Sequence, residues 1–251
     1  MTDGRGGPRR HRPGDPRSYA VGEWAALEAL RHRPELVRAL LLDPALAGAR
    51  RARLVRAAAA AGIDARDDAR TLRALRHRSD ARALVLLDAT PDRLDPTADH
   101  LVLVGTRNAG NLGAALRSAL GFDLRDVALI ASPLDPWSPH VLRASLGARF
   151  ALRVSTFADA RAYRDAHPGR AVARFAPSRA DAPSTPLPET RLPQPVSLAF
   201  GPEWSAADAT TAVLEEAPSV RVHIPQHPDL ESHNLAVAVG IVLYAHRMAA
   251  C

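Results

Sequence analysis

From Leu101 onward, short apolar runs of strand length alternate with longer mixed segments: LVLVG, DVALIA, FALRV, AVARFA, VSLAFG and VRVHIP. The pattern predicts six strands. Crossover-length connections between them indicate a parallel sheet covered on both faces. The connection from Ala176 to Pro195 holds Pro177, Pro183, Pro186, Pro188, Pro193 and Pro195, so it reads as an irregular surface loop. Upstream the rhythm differs. A helix is expected over Glu23 to Arg31, a strand over Val37 to Leu42, helices over Gly48 to Ala61 and Thr71 to His77, and a strand over Ala83 to Asp88. Residues 1–17 lack apolar periodicity and read as a disordered basic arm. Polar residues with two prolines make 91–99 a linker. The organisation expected is therefore the arm, a small α/β domain over 18–90, the linker, and a parallel-sheet α/β domain over 100–251.

A chain of 251 residues that is 47% hydrophobic can build two modest cores. The net charge of +6 is carried entirely by arginine, since no lysine occurs. Nucleic acid is the commonest partner of such a surplus, and Arg5, Arg9, Arg10 and Arg12 of the arm are candidate RNA contacts. A lone cysteine, Cys251, excludes an internal disulfide and a cysteine-built zinc site. No apolar run reaches the roughly 20 residues that span a bilayer, and the arginine-rich start has no signal-peptide core. The expected setting is the cytoplasm, away from membranes.

The segment LVLVGTRNAGNLGAALRSALGF reads as a strand, a glycine-bearing turn and a helix starting near Leu112, an arrangement that aims backbone N–H groups at an anion or cofactor. Asn111 is positioned to cap that helix. Gly110 and Gly113 have the spacing of the last two glycines of a dinucleotide fingerprint, which would make the chain a nicotinamide-dependent oxidoreductase. Against this, Asn108 stands where the first glycine belongs, and the next strand, DVALIAS, ends in serine where an acid is needed. Ser232 and Asn234 flank the start of an apolar final helix and are capping residue types. Gly201 ends a strand where a ligand could approach the main chain. His223, His227 and His233 have no metal-ligand spacing, so no metal site is expected.

Four segments taken together resemble the SpoU-type (TrmH-like) branch of the SPOUT superfamily of RNA 2′-O-ribose methyltransferases. The first is Asn111-x-Gly113 with Arg117 and Phe122 behind it. Next come Asp135-Pro136-Trp137-Ser138-Pro139 and Arg143-Ala144-Ser145-Leu146-Gly147 with Phe150. The third is LAFGPE with Gly201 and Glu203, and the last is Ile224-Pro225 followed by Ser232-His233-Asn234 and an alanine-rich helix. The resemblance implies a trefoil-knotted sheet domain, a ribosomal-protein-like RNA-binding domain before it, and S-adenosylmethionine as cofactor. It implies catalytic roles for Arg117, Asn111, Glu203, Ser232 and Asn234. Cofactor contacts would come mainly from the backbone of Gly201, Ile224 and His233, with Phe200, Pro225 and Leu235 beside them. Arg143 joins the RNA-binding candidates, ribosomal RNA is favoured over transfer RNA, and a homodimer is implied through the final helix, which is apolar nearly all round. Two departures stand out. Trp204-Ser205-Ala206 replaces a glycine-rich stretch, and His233 replaces the usual leucine. A non-catalytic RNA-binding protein of the same fold is the alternative, for which loss of Arg117 or Asn111 would be the sign. Both are present.

Overall fold

The computed structural model describes residues 10–76, 80–178, 183–201, 209–216 and 218–249. They form two compact units, one comprising Met1–Pro91 with Asp135–Ala151 and the other Asp92–Leu134 with Leu152–Cys251.

The first unit contains β1 (Arg17–Val21), α1 (Glu23–His32), β2 (Val37–Leu42), α2 (Gly48–Ala60), β3 (Ala65–Asp67), α3 (Ala69–Leu75) and β4 (Ala83–Asp88), joined by α5 (Pro139–Ala144) from the inserted segment. Its sheet has the order β1-β4-β2-β3, with β4 antiparallel to both neighbours and β2 parallel to β3. Alternate residues of these strands build two cores. Ala20, Leu40, Leu42 and Val85 pack with Ala26, Leu30 and Leu54 of α1 and α2, while Tyr19, Leu41 and Leu84 pack with Leu72 and Leu75 of α3.

The inserted segment completes the first of those cores with Trp137, Leu142 and Phe150. Two polar groups of Trp137 are tied down as well. The Trp137 indole donates to the Thr90 carbonyl at 2.9 Å, and the Ser18 hydroxyl donates to the Trp137 carbonyl at 2.5 Å. The Arg149 guanidinium lies 3.8 Å from the Trp137 ring centre. Gly147 has φ of +85°, and a Cβ there would stand 2.8 Å from both Cβ and Cγ of Glu28. Only glycine satisfies the backbone and the close approach to α1 together.

The arm, the linker and the second domain all differ from expectation. Residues 10–17 are anchored: His11 bonds Asp135 through Nε2 at 2.8 Å, and Arg17 opens β1. Burial would lower the His11 pKa, but its bond to Asp135 raises it overall. Asp135, which burial would raise, is held low by His11 and the Trp137 N–H. Composition could not reveal a partner 124 residues away. Residues 1–9, with Arg5 and Arg9, lie outside the described residues. The proposed linker, from Asp92 on, belongs to the second unit. Leu94 is in its core, the Asp92 carboxylate accepts from Val154 N–H at 2.9 Å, and the Asp95 N–H donates to Asp126 at 2.8 Å. The expected domain over 100–251 gives up Asp135–Ala151 to the first unit, and Arg143 goes with it.

The second unit contains β5 (His100–Val104), α4 (Ala109–Gly121), β6 (Asp126–Ile130), β7 (Arg153–Phe157), α6 (Ala160–Ala166), β8 (Ala171–Phe175), β9 (Thr185–Pro186), β10 (Val196–Phe200), α7 (Ala209–Leu214), β11 (Ser219–His223) and α8 (Leu235–Ala249). The sheet is parallel throughout, in the order β7-β6-β5-β10-β8-β11-β9. Two details depart from expectation: β7 starts at Arg153 because Phe150 serves the first unit's core, and the proline-rich loop contributes the short β9. Val102, Val104, Ala128, Ile130, Tyr163 and Val172 form the core on one face. No helix among the described residues is long and apolar enough to cross a membrane.

Candidate active site

In an open parallel sheet, ligands bind beyond the carboxyl ends of the strands, where the strand order reverses. Here β5 is followed by β6 on one side, whereas its other neighbour, β10, arrives late in the chain. The turn leaving β5 passes through Gly105, whose φ of +64° suits glycine. Gly105 N–H donates to Ile130 O at 2.8 Å, and the Ser132 hydroxyl donates to Thr106 O at 2.7 Å. Asn108 then caps α4, its side-chain oxygen accepting from Gly110 N–H at 2.8 Å and Asn111 N–H at 3.1 Å. Capping therefore belongs to Asn108 and not to Asn111, which stands one turn in. An asparagine just ahead of an amphipathic stretch was the available signal.

Asn111 faces α8. The Asn234 amide donates to Asn111 Oδ1 at 3.1 Å, and Asn234 Oδ1 in turn accepts from Ala236 N–H at 2.9 Å. Farther along, a Cβ at Gly240 would lie 3.7 Å from the Ser118 hydroxyl, and Phe122 meets Tyr244 edge-on at 6.1 Å. The contacts advance together on both helices, so α4 and α8 run parallel with their N-termini side by side. Two helix N-termini side by side, with the positive ends of their dipoles together, favour negative charge at this end.

Arg117 is exposed on α4, whose buried face is Leu112, Gly113, Ala115, Leu116 and Ala119. At the end of β10, buried Phe200 stacks on Phe175 of β8 at 5.0 Å, and Gly201 follows it out of the sheet. Ile224 and Pro225 leave β11 in the same direction, after His223, whose Nδ1 lies in hydrogen-bond contact with the Ser184 hydroxyl at 2.9 Å. Ser232 is exposed, His233 half-buried and Leu235 buried. Gly201, Ile224 and Pro225 thus follow the carboxyl ends of β10 and β11, and Asn111 and Asn234 are in direct contact. Glu203 lies outside the described residues, and Arg143, exposed on α5, belongs to the first unit. Arg10 and Arg12 are exposed.

A buried polar network at the opposite edge of the sheet went unnoticed in the sequence. His100 is fully buried, with Nδ1 2.9 Å from the Tyr163 hydroxyl and Nε2 2.8 Å from Asp95 O. The Tyr163 hydroxyl meets Ser197 Oγ at 2.6 Å, and Arg170 donates to Ser197 Oγ at 2.9 Å and to Pro96 O at 2.9 Å. Burial, reinforced by Arg170 and His167 against the Asp95 carbonyl bond, drives the His100 pKa down to about 4. Burial also raises the Tyr163 pKa. This network holds strand starts together. A shallow recess nearby, of about 190 Å³ and lined by Asp99, Arg125, Asp126, Arg153 and His246, lies at the same edge and away from the asparagine pair. Among the described residues, no cluster of three or more His, Cys, Asp or Glu could hold a metal.

The profile of the SpoU rRNA Methylase family matches residues 99–244. An uncharacterized tRNA/rRNA methyltransferase of Synechocystis is 33% identical over 147 residues, 59% of this chain and 52% of the relative. The tRNA (cytidine/uridine/adenosine-2′-O-)-methyltransferase TrmJ of Pseudomonas aeruginosa is 31% identical over 161 residues, 60% of each chain. The chain thus spans little more than half the length of these curated relatives. Among solved structures, an RNA 2′-O ribose methyltransferase superposes with a TM-score of 0.71 at 26% identity, covering 94% of this chain and 90% of that one. An rRNA methyltransferase from Sinorhizobium meliloti gives 0.73 at 20% identity over 94% and 88%, a likeness of fold.

Proposed function

Because the chain belongs to the SpoU rRNA Methylase family, we propose that it transfers a methyl group from S-adenosylmethionine to a ribose 2′-hydroxyl of RNA in the cytoplasm. Ribosomal RNA is the favoured substrate and transfer RNA the second. The observation that carries the reading is the contact between Asn111 and Asn234, two residues 123 apart in the chain and drawn from separate segments of the resemblance.

The cofactor fits the residues present. Gly201, Ile224 and His233 would hold it through main-chain groups that lie past the ends of β10 and β11 and so have no ladder partners to leave. Leu235, two positions after His233, is apolar and buried. When bound, the cofactor supplies an electrophilic methyl on a sulfonium. The protein's task is then to align the ribose 2′-oxygen with that methyl, the hydroxyl proton passing to water as the sulfonium becomes a neutral thioether. Arg117 orients a substrate phosphate and stabilises the charge growing on the 2′-oxygen. The Asn234 amide fixes the side-chain orientation of Asn111 beside that ribose, and Glu203 orients Arg117. The entry of late strand β10 between β5 and β8 supports a trefoil knot around the cofactor. The first unit selects the RNA.

A homodimer accompanies this reading. The final helix is apolar nearly all round, and of its residues Leu235, Val239 and Val242 are buried whereas Val237, Ile241, Tyr244 and Met248 form an exposed apolar stripe on α8. Such a stripe on an otherwise packed helix supports a second subunit there.

The test is incubation of the full chain with labelled S-adenosylmethionine and unmodified ribosomal or transfer RNA, followed by nuclease digestion and mass spectrometry. A 2′-O-methylated nucleotide is expected. Methyl on a base, or no transfer to either RNA, would overturn the proposal.

A further inference from the structure

The first unit exposes an indole. Trp24 on α1 is 54% exposed, although it is the kind of side chain a fold normally covers. Its surroundings are cationic. Helix α2 carries Arg50, Arg51, Arg53 and Arg56 and no carboxylate. Glu23 neutralises Arg50, bonding Nε at 2.9 Å, and Asp67 neutralises Arg51 at 2.8 Å. The Arg53 guanidinium carbon lies 6.0 Å from the Trp24 ring centre. Arg56 follows Arg53 by three positions and is therefore its neighbour on the helix surface, while Arg31 follows Trp24 by seven, on the same face of α1. Arg31, Arg53 and Arg56 are exposed and have no carboxylate partner among the described residues.

We propose that Trp24 is a stacking platform for an unpaired base of the RNA substrate, with Arg31, Arg53 and Arg56 receiving the phosphates on either side. The proposal rests on the RNA-methylating reading of the other unit. An exposed aromatic plane beside unneutralised guanidinium groups is the pairing that single-stranded nucleic acid completes, because bases offer π-faces at the spacing of their phosphates. A duplex conceals those faces, so the occupant is a loop, bulge or single-stranded end. A protein partner would have to place three carboxylates around an aromatic cover, whereas each nucleotide brings a phosphate together with its base.

The full chain is titrated by fluorescence anisotropy against a labelled unstructured oligoribonucleotide and against an RNA duplex. Trp24→Ala should weaken binding to the single strand about 10-fold and leave duplex binding within about twofold, whereas Trp24→Phe should retain most of the affinity. Arg53→Ala and Arg56→Ala should each lower the slope of log K against log salt by about 0.7 on the single strand. Trp24→Gln serves as a second, helix-compatible truncation should the alanine variant fold poorly. Unchanged single-strand affinity in Trp24→Ala or Trp24→Gln, which is also what a protein-docking surface would give, overturns the platform. So does an equal loss on duplex RNA. S-adenosylmethionine binding by the parent chain, measured by calorimetry, keeps the two readings apart: its absence would overturn the methyltransferase assignment and leave the platform standing.

Discussion

His100 makes the stability of the second unit depend on acidity in a direction that can be worked out. An unfolded histidine titrates near 6.5, whereas burial holds the folded imidazole at about 4. The folded state therefore refuses a proton that the unfolded state accepts. Its contribution is intact above pH 6.5, declines as the pH falls through the interval, and is fully lost below about 4. The gap is about 2.5 units, and at 1.36 kcal/mol per unit the total is about 3 kcal/mol, of which about 2 kcal/mol is gone by pH 5. No discount for solvent is due, because the side chain is fully buried. The assay is urea denaturation of the parent and His100→Gln from pH 7 to pH 5. The variant should start less stable, since it loses the bonds to Tyr163 and Asp95, but it should lose about 2 kcal/mol less on acidification. Other titrating groups are shared and cancel in the difference. Parallel pH dependences, or a ring resonance of His100 titrating at 6 or above in the folded protein, would refute the reasoning.

Four further outcomes are expected. Gly147→Ala should destabilise the first unit by about 2 kcal/mol, read as a lower urea midpoint, because a left-handed residue gains a side chain and that side chain meets Glu28. Gly169→Ala, where φ is +70° and nothing lies within 4 Å, should cost only about 1 kcal/mol and so separates strain from collision. Asn108→Ala should cost about 1 kcal/mol by thermal denaturation through loss of the α4 cap, with Asn108→Asp close to the parent. Arg117→Ala should lower kcat of methyl transfer by about 100-fold or more with the S-adenosylmethionine Kd nearly unchanged by calorimetry; turnover within a few-fold of the parent removes it from the chemistry.

Periodicity located the strands and helices that bury a regular face, such as β5, β6, α2 and α4. It failed where structure is held by something other than apolar spacing. Arg17–Val21 is a short strand preceded by arginines and prolines, and only its pairing with β4 makes it one. Residues 91–99 have the polarity of a linker because their anchoring is by carboxylates and main-chain bonds, with Leu94 as their one core side chain. His100, Ser197 and Arg170 are unremarkable polar residues near strand starts until the parallel register brings them together. The Asn111–Asn234 contact could be anticipated only through the family resemblance, since no spacing rule relates residues 123 positions apart.

The placement of Asp135–Ala151 bears on how such proteins can be recombined. The first unit is encoded in two stretches separated by more than forty residues of the second, so no single crossover in the gene can lift it out whole. A graft made at Pro91 would arrive without Trp137, Leu142 and Phe150, three side chains of its own core, and without Asp135 to receive His11. Exchanging the first unit between relatives therefore requires moving both stretches together, and the inserted stretch must match its new N-terminal host in shape as closely as any other piece of that core.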